Sequence, residues 1–244
     1  MRRLLPAPAD HVELAEAYPA LPPANGRPSV RVVMIASVDG ATAVEGVSGG
    51  LGGGADRAVY LHLRSLADAV LVGAGTVRAE RYGPPWLPPE LVEDRRRRGQ
   101  PRLPRIAVAS RSCRLDWESP FFGDAASRPI VITVADAPAE RRAEAARVAD
   151  VLVAGDDDVD LDAALAGLAA AGARSVLAEG GPTLNGALAS AGLLDELCLT
   201  LSPLLVGGDA RRILAGAPPV PDGRLELEFA GEEDGFLFLR YRAR

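Results

Sequence analysis

The sequence predicts a single α/β domain, built on a mixed, mainly parallel sheet flanked by helices and closed by a C-terminal antiparallel hairpin. Three observations predict it. Short β-branched runs alternate with stretches whose apolar residues recur at helical spacing. After Leu194-Asp195-Glu196 the apolar pattern changes to period two. Twice, a strand runs directly into glycines and then a helix, at Val72-Gly73-Ala74-Gly75-Thr76 and at Glu179-Gly180-Gly181-Pro182-Thr183-Leu184.

Residues 1–28 are rich in proline and alanine and read as an arm with one short helix near Asp10 to Ala17; residues 29–244 form the domain. Val30 to Ala36 is a β-branched buried strand, followed by a glycine-rich loop from Ser37 to Gly54, a candidate lid. From Asp56, the apolar residues Val59, Leu63 and Leu66 mark a helix, and Ala69 to Val72 the next strand, completing a βαβ unit. Tyr82 to Arg105 holds six prolines and the run Arg95-Arg96-Arg97-Arg98, which reads as a surface excursion with a solvated charge cluster. Strands follow at Ile106 to Ala109, Pro129 to Thr133 and Val151 to Ala154, with a helix from near Pro138. Leu161, Leu165 and Leu168 mark another helix, Ser175 to Ala178 a strand, and Leu184, Leu188 and Ala191 the helix after the glycine pair. Leu197, Leu199 and Leu201 share one strand face, and Leu225 to Phe229, the turn Gly231 to Gly235 and Phe236 to Tyr241 form the hairpin.

The formal charge of −6 argues against a general nucleic-acid binder, which needs a basic surface to displace counterions. No apolar run approaches the roughly 20 residues that span a bilayer. Two separated cysteines, Cys113 and Cys198, and an N-terminus without an apolar signal core lead to the expectation of a cytoplasmic, reduced protein. With only His11 and His62 besides, a zinc site would consume nearly every His and Cys, so no metal is expected.

The glycine junctions carry the chemistry. In the second, Gly180 and Gly181 let the backbone approach a ligand, and Pro182 sets the first turn of a helix whose free N–H groups suit phosphate. A tight strand-to-helix turn needs the same glycines, so that role competes. With the first junction at Gly73, Gly75 and Thr76, the pair suits a dinucleotide, which has a pyrophosphate and further polar groups to hold. The full Rossmann glycine spacing is absent, and no acidic residue closes a strand about 20 residues later. Ser110 and Arg111 follow the strand Ile106 to Ala109, where a hydroxyl and a guanidinium suit a ribose phosphate, favouring NADPH; a turn former and a solvent residue are the competing reading.

Five motifs, in order, resemble the reductase of bacterial riboflavin biosynthesis and its stand-alone pyrimidine-reductase relatives, a family similar to dihydrofolate reductase in fold. They are Ala36-Ser37-Val38-Asp39-Gly40, Leu63-Arg64-Ser65-Leu66-Ala67-Asp68-Ala69, Val72-Gly73-Ala74-Gly75-Thr76, Glu179-Gly180-Gly181-Pro182-Thr183-Leu184 and Leu194-Asp195-Glu196-Leu197. The resemblance implies NADPH-dependent hydride transfer that opens the ribose of 5-amino-6-(5-phosphoribosylamino)uracil to a ribityl chain, in a homodimer. It also implies cofactor contacts at Ile35, Gly73, Gly75, Thr76, Ser110, Arg111, Gly180, Gly181, Pro182, Thr183, Leu184 and Asn185. Substrate contacts are implied at Ser48, Arg64, Glu80 and Glu179, with Asp39 and Glu179 as the acids nearest the chemistry. Asp-Gly is also an ordinary turn dipeptide, so a structural role for Asp39 competes.

The family often carries lysines where this chain has Val33 and Ala41, and its Asp-Asp-Pro sequence after Thr76 is replaced here by Val77 to Pro84, with Glu80 standing for one aspartate. His11-Val12-Glu13 copies the first half of a zinc-deaminase signature, but no paired cysteines complete it. Two other functions stay open: reduction of dihydrofolate or another pterin, and non-catalytic regulation by bound NADP.

Overall fold

The computed structural model describes residues 1–24, 26–123, 127–220 and 222–244; residue 25 of the expected arm lies outside them. In chain order, the first elements are strand β1 (Arg2–Leu5), helix α1 (Leu14–Ala17), strand β2 (Ser29–Ser37), helix α2 (Gly54–Leu66), strand β3 (Ala69–Gly73) and helices α3 (Ala74–Ala79) and α4 (Pro89–Arg97). Strands β4 (Arg105–Ala109) and β5 (Ile130–Thr133), helix α5 (Ala139–Val148), strand β6 (Asp150–Val153) and helix α6 (Leu161–Ala170) follow. The chain ends with strand β7 (Ser175–Ala178), helix α7 (Pro182–Ser190) and strands β8 (Glu196–Ser202), β9 (Leu225–Glu233) and β10 (Phe236–Ala243).

These elements form two compact units. The first comprises Met1–Pro22, Ser29–Arg64 and Ala178–Arg244. Its strands run in the order β1-β9-β10-β8-β2, antiparallel except for the parallel pair β2 and β8. The predicted hairpin is β9 and β10, turned at Asp234 and Gly235, both at positive φ. A buried ion cluster ties three of these strands: Glu196, fully buried, accepts from Arg31 Nε at 2.5 Å and Arg240 Nη1 at 3.1 Å. Asp195, at the head of β8, accepts from the Val30 amide at 2.7 Å. The boundary acids of the sequence pattern therefore lock β8 to β2 and β10.

The second unit comprises Pro23–Pro28 and Ser65–Leu177. Its strand order is β7-β3-β4-β5-β6, with β3, β4, β5 and β6 parallel. Val70, Val72, Ile106, Val108, Val131, Phe121 and Phe122 make a core there, the near-continuous apolar strands expected when both faces of a parallel sheet are covered. The mixed, mainly parallel pattern, the flanking helices and the terminal hairpin are those the sequence predicts.

Four local expectations are corrected. The helix read near Asp10 to Ala17 is a single turn, Leu14–Ala17, and Arg2–Leu5, read as part of an arm, is an edge strand pairing with β9. The excursion 82–105 contains helix α4, started by Pro89 at its first turn. The arginine run is also not uniformly solvated: Arg96 and Arg97 are exposed, but Arg95 is fully buried. Its guanidinium donates to the carbonyls of Ser65 at 2.9 Å, Ala67 at 2.5 Å and Pro101 at 2.8 Å. A guanidinium is a good cap for clustered carbonyl oxygens, because its donors spread in a fixed plane. Burial pushes its pKa down to about 10, which leaves it charged at neutral pH.

Candidate active site

Within the first unit, β2 ends at Ser37, and Gly40 at φ +91° turns the chain. Asp39 is exposed at this turn, yet its carboxylate is fully engaged. It accepts from the Ser37 hydroxyl at 2.5 Å, from the Gly207 amide at 2.7 Å and from the Val206 amide at 3.2 Å. These donors, the Ser37 hydroxyl foremost, lower its pKa from 3.8 to about 2. The stabilisation it provides is complete above pH 3.8 and is lost as the pH falls toward about 2. An Asp39→Asn variant is therefore expected to melt below the wild type at neutral pH, with the gap closing over that acidic window. Paired thermal scans across pH check this, and a gap independent of pH would refute it.

Helix α2 carries Asp56, Tyr60 and Arg64 at intervals of four, which puts them on one face. Arg64 Nε and Nη2 donate to the two oxygens of Glu179, each at 2.8 Å, a bidentate pair. The Tyr60 hydroxyl donates to Glu179 Oε2 at 3.0 Å, and its ring centroid lies 5.0 Å from the Arg64 guanidinium carbon. The pair is nearly dry, with side-chain exposures of 10% for Arg64 and 2% for Glu179. Ser48 sits in a short 3₁₀ turn, Ser48–Gly50, in the loop before α2.

Glu179 follows β7 and is followed by a cis peptide between Gly180 and Gly181. Gly180 has φ +84°, the left-handed region that favours glycine, and a Cβ there would lie 3.3 Å from Met34 Sδ, a tight contact that a small shift of the methionine relieves. Gly181 caps α7, with Pro182 at its start and neither an acidic residue in its first turn nor a side-chain cap. The amides of Thr183 and Leu184 thus belong to the first-turn donors that lack intrahelical partners. Asn185 is fully buried and donates to the Ile213 carbonyl at 3.3 Å, but its Oδ1 has no hydrogen-bond partner among the described residues. A phosphate suits such a helix start. The Glu179 charge is already neutralised by Arg64, so it does not set a bare carboxylate beside an anion.

Within the second unit, β3 runs into α3 with Gly73 at the cap position; Gly75 is exposed and Thr76 half-buried. Gly73 is the register partner of Ala109 on β4, so Gly73 and Ser110 lie at the carboxyl ends of adjacent parallel strands, where open α/β sheets place ligands. Ser110 is buried and its amide donates to the Ile132 carbonyl at 2.9 Å. Arg111 is exposed, and its carbonyl accepts from the Thr133 hydroxyl at 3.3 Å. Glu80 ends α3.

The first unit therefore brings together Arg64 and Glu179, and joins Gly180 to Asn185; Ile35 lies on β2 of the same unit. The second brings Gly73 beside Ser110. Sequence reasoning missed Tyr60 and gave Asp56 only a helix-starting role; the four-residue spacing from Asp56 through Tyr60 to Arg64 is the signal that would have found them. Among the described residues, no group of three or more His, Cys, Asp or Glu could hold a metal, and no helix is long and apolar enough to cross a membrane.

Residues 28–234 match the family model of the RibD C-terminal domain. The 2,5-diamino-6-ribosylamino-4(3H)-pyrimidinone 5′-phosphate reductase of Archaeoglobus fulgidus is 34% identical over 179 residues, covering 72% of this chain and 81% of that protein. The enzyme of the same name from Methanothermobacter thermautotrophicus is 34% identical over 192 residues, covering 78% and 85%. Among solved structures, a pyrimidine reductase-like protein of Corynebacterium diphtheriae superposes with a TM-score of 0.82 at 30% identity, covering 95% of this chain and 98% of the other.

Proposed function

Because the chain belongs to the RibD C-terminal domain family, we propose that it is an NADPH-dependent reductase of a 6-ribosylaminopyrimidine 5′-phosphate in riboflavin biosynthesis. The reaction breaks the C1′–O4′ bond of the ribosyl ring, forms a C–H bond at C1′ and places a proton on the released oxygen. NADPH, when bound, supplies the hydride. The protein's task is then binding, orientation and exclusion of water.

The observation that carries this reading is the dry Arg64–Glu179 pair immediately before an uncapped α7 start. The residues fit the cofactor: amides of Thr183 and Leu184 would meet the pyrophosphate, Gly180 and Gly181 would allow close approach, and Pro182 and Asn185 would shape the turn. Ile35, Gly73, Gly75, Thr76, Ser110 and Arg111 are proposed as further cofactor contacts, Ser110 and Arg111 on the ribose phosphate that marks NADPH. Arg64, Glu179, Ser48 and Glu80 are proposed for the substrate. Asp39, ionised at neutral pH and anchoring the turn at Val206 and Gly207, suits positioning rather than proton donation.

A homodimer is part of the proposal. It is supported by Leu199, Leu201, Leu237 and Leu239, register partners on one face of β8 and β10 that keep part of their surface exposed. A sedimentation mass of one chain would rule it out.

The test is turnover by the full chain, followed as loss of NADPH absorbance with 6-ribosylaminopyrimidine 5′-phosphates and with dihydrofolate. Oxidation with a ribosylaminopyrimidine is expected. Oxidation with dihydrofolate alone would make the chain a pterin reductase, and NADPH binding without oxidation would make it a regulator.

A further inference from the structure

After β8 the chain leaves the sheet, and residues 203–220 form a strap along the start of α7. Asp39 holds its near end through the Val206 and Gly207 amides. Further on, the Arg211 carbonyl accepts from the Thr42 hydroxyl at 2.9 Å, and the Ile213 carbonyl from Asn185 Nδ2 at 3.3 Å. The Ala215 amide donates to the Pro182 carbonyl at 3.0 Å. Helix α7 receives the strap closely, since a Cβ on Gly186 would lie 2.6 Å from the Ala215 oxygen and 3.1 Å from Ala217 Cβ. Arg211 and Arg212 therefore stand on backbone that is fixed on both sides, beside the first turn of α7. Both side chains are exposed, and among the described residues neither guanidinium has a hydrogen-bond or ion-pair partner. Surface arginines are commonly just solvated charge, but that role asks for no anchored backbone.

The start of α7 is short of positive charge for the ligand it suits. Each phosphate of a dinucleotide pyrophosphate carries a negative charge, whereas a helix N-terminus presents only about half a positive one. Arg64 is committed to Glu179 by both of its bonds. Val33 and Ala41, where the family often has lysines, bring no charge, and Thr42, which bonds the strap, directly follows Ala41. Resting on the cofactor reading above, we propose that Arg211 and Arg212 hold the pyrophosphate of the dinucleotide, supplying from the strap the charge that positions 33 and 41 lack. A guanidinium suits this work, because its paired N–H donors meet phosphate oxygens with charge assistance. The pyrophosphate is common to NADPH and NADH, so these arginines set affinity for the dinucleotide as a class. The choice between the two is left to the contacts on the ribose phosphate.

The experiment titrates NADPH and NADH into the full-length wild type and the double variant Arg211→Ala/Arg212→Ala, by calorimetry at several salt concentrations. Arg96→Ala, which removes an exposed arginine of the second unit, is the control for charge alone. The double variant is expected to bind both dinucleotides about tenfold to a hundredfold more weakly, with a flatter salt dependence and the wild-type melting temperature. Arg211→Lys/Arg212→Lys should recover part of the affinity, since it keeps the charge without the paired donors. Unchanged binding, or a loss matched by Arg96→Ala, overturns the proposal while leaving the cofactor reading in place. A loss confined to NADPH overturns it as well, by putting the arginines on the ribose phosphate. If the wild type binds neither dinucleotide, the cofactor reading fails and the proposal fails with it.

Discussion

A Glu179→Ala variant is expected to lose about 3–5 kcal/mol of stability together with nearly all turnover. The cost follows from what the substitution leaves behind. Arg64 is nearly dry, and removing one partner of a buried ion pair strands the other charge. The Tyr60 hydroxyl loses its acceptor at the same time. Glu179→Gln keeps the shape but turns an N–H toward donors already aimed at it, so it should fold better and still lose about a hundredfold in kcat/KM. Calorimetric melting and NADPH-oxidation kinetics check both. Adding Arg64→Met to Glu179→Ala should cost much less than the sum of the two single changes, because the stranded charge is then gone. Wild-type kinetics in Glu179→Gln would remove Glu179 from the site.

Replacing Arg95 by Leu is expected to be the most damaging change outside the site, at about 3–5 kcal/mol. The carbonyl oxygens of Ala67 and Pro101 would lose their arginine donor, that of Ser65 would keep only Arg98 Nη2 at 2.8 Å, and an apolar side chain offers no substitute. Arg95→Lys, which keeps the charge on a single nitrogen, should recover part of the loss because it can reach some of the carbonyls but not hold the planar fork. The denaturant midpoint measures both, at unchanged m. A midpoint in Arg95→Leu equal to the wild type would show that those carbonyls have other donors.

The same arginine shows where the sequence stops being legible. The only apolar residues that helix α4 turns inward are Leu91 and Val92, too few to reveal a period, and the buried Arg95 is hidden among three arginines that are exposed. The pairing that buries it lies with carbonyl oxygens, which every residue carries alike. Strands such as Val30 to Ala36 were readable for the opposite reason, since β-branched runs carry their own signature. The glycine pair was readable at Gly180, whose positive φ favours glycine, while Gly181 stands at the cap of α7 with an ordinary negative φ. Glu179 was readable through its neighbours, whereas its hold on Arg64 and Tyr60 was not, because residues more than a hundred positions apart leave no local pattern. Tyr60 and Asp56 needed the helix face to be drawn before their common side appeared.

That face also works as a ruler. Asp56 and Arg64 stand eight positions apart on α2, about 12 Å along the helix axis and about 80° apart around it. Tyr60, midway between them, reaches Glu179 together with Arg64, so the four-residue interval sets which side chains share that carboxylate. Changing a single side chain leaves the ruler intact. Inserting or deleting one residue between positions 57 and 63 does not: it swings one end about 100° around the axis relative to the other. This stretch of chain should therefore drift in composition far more readily than in length.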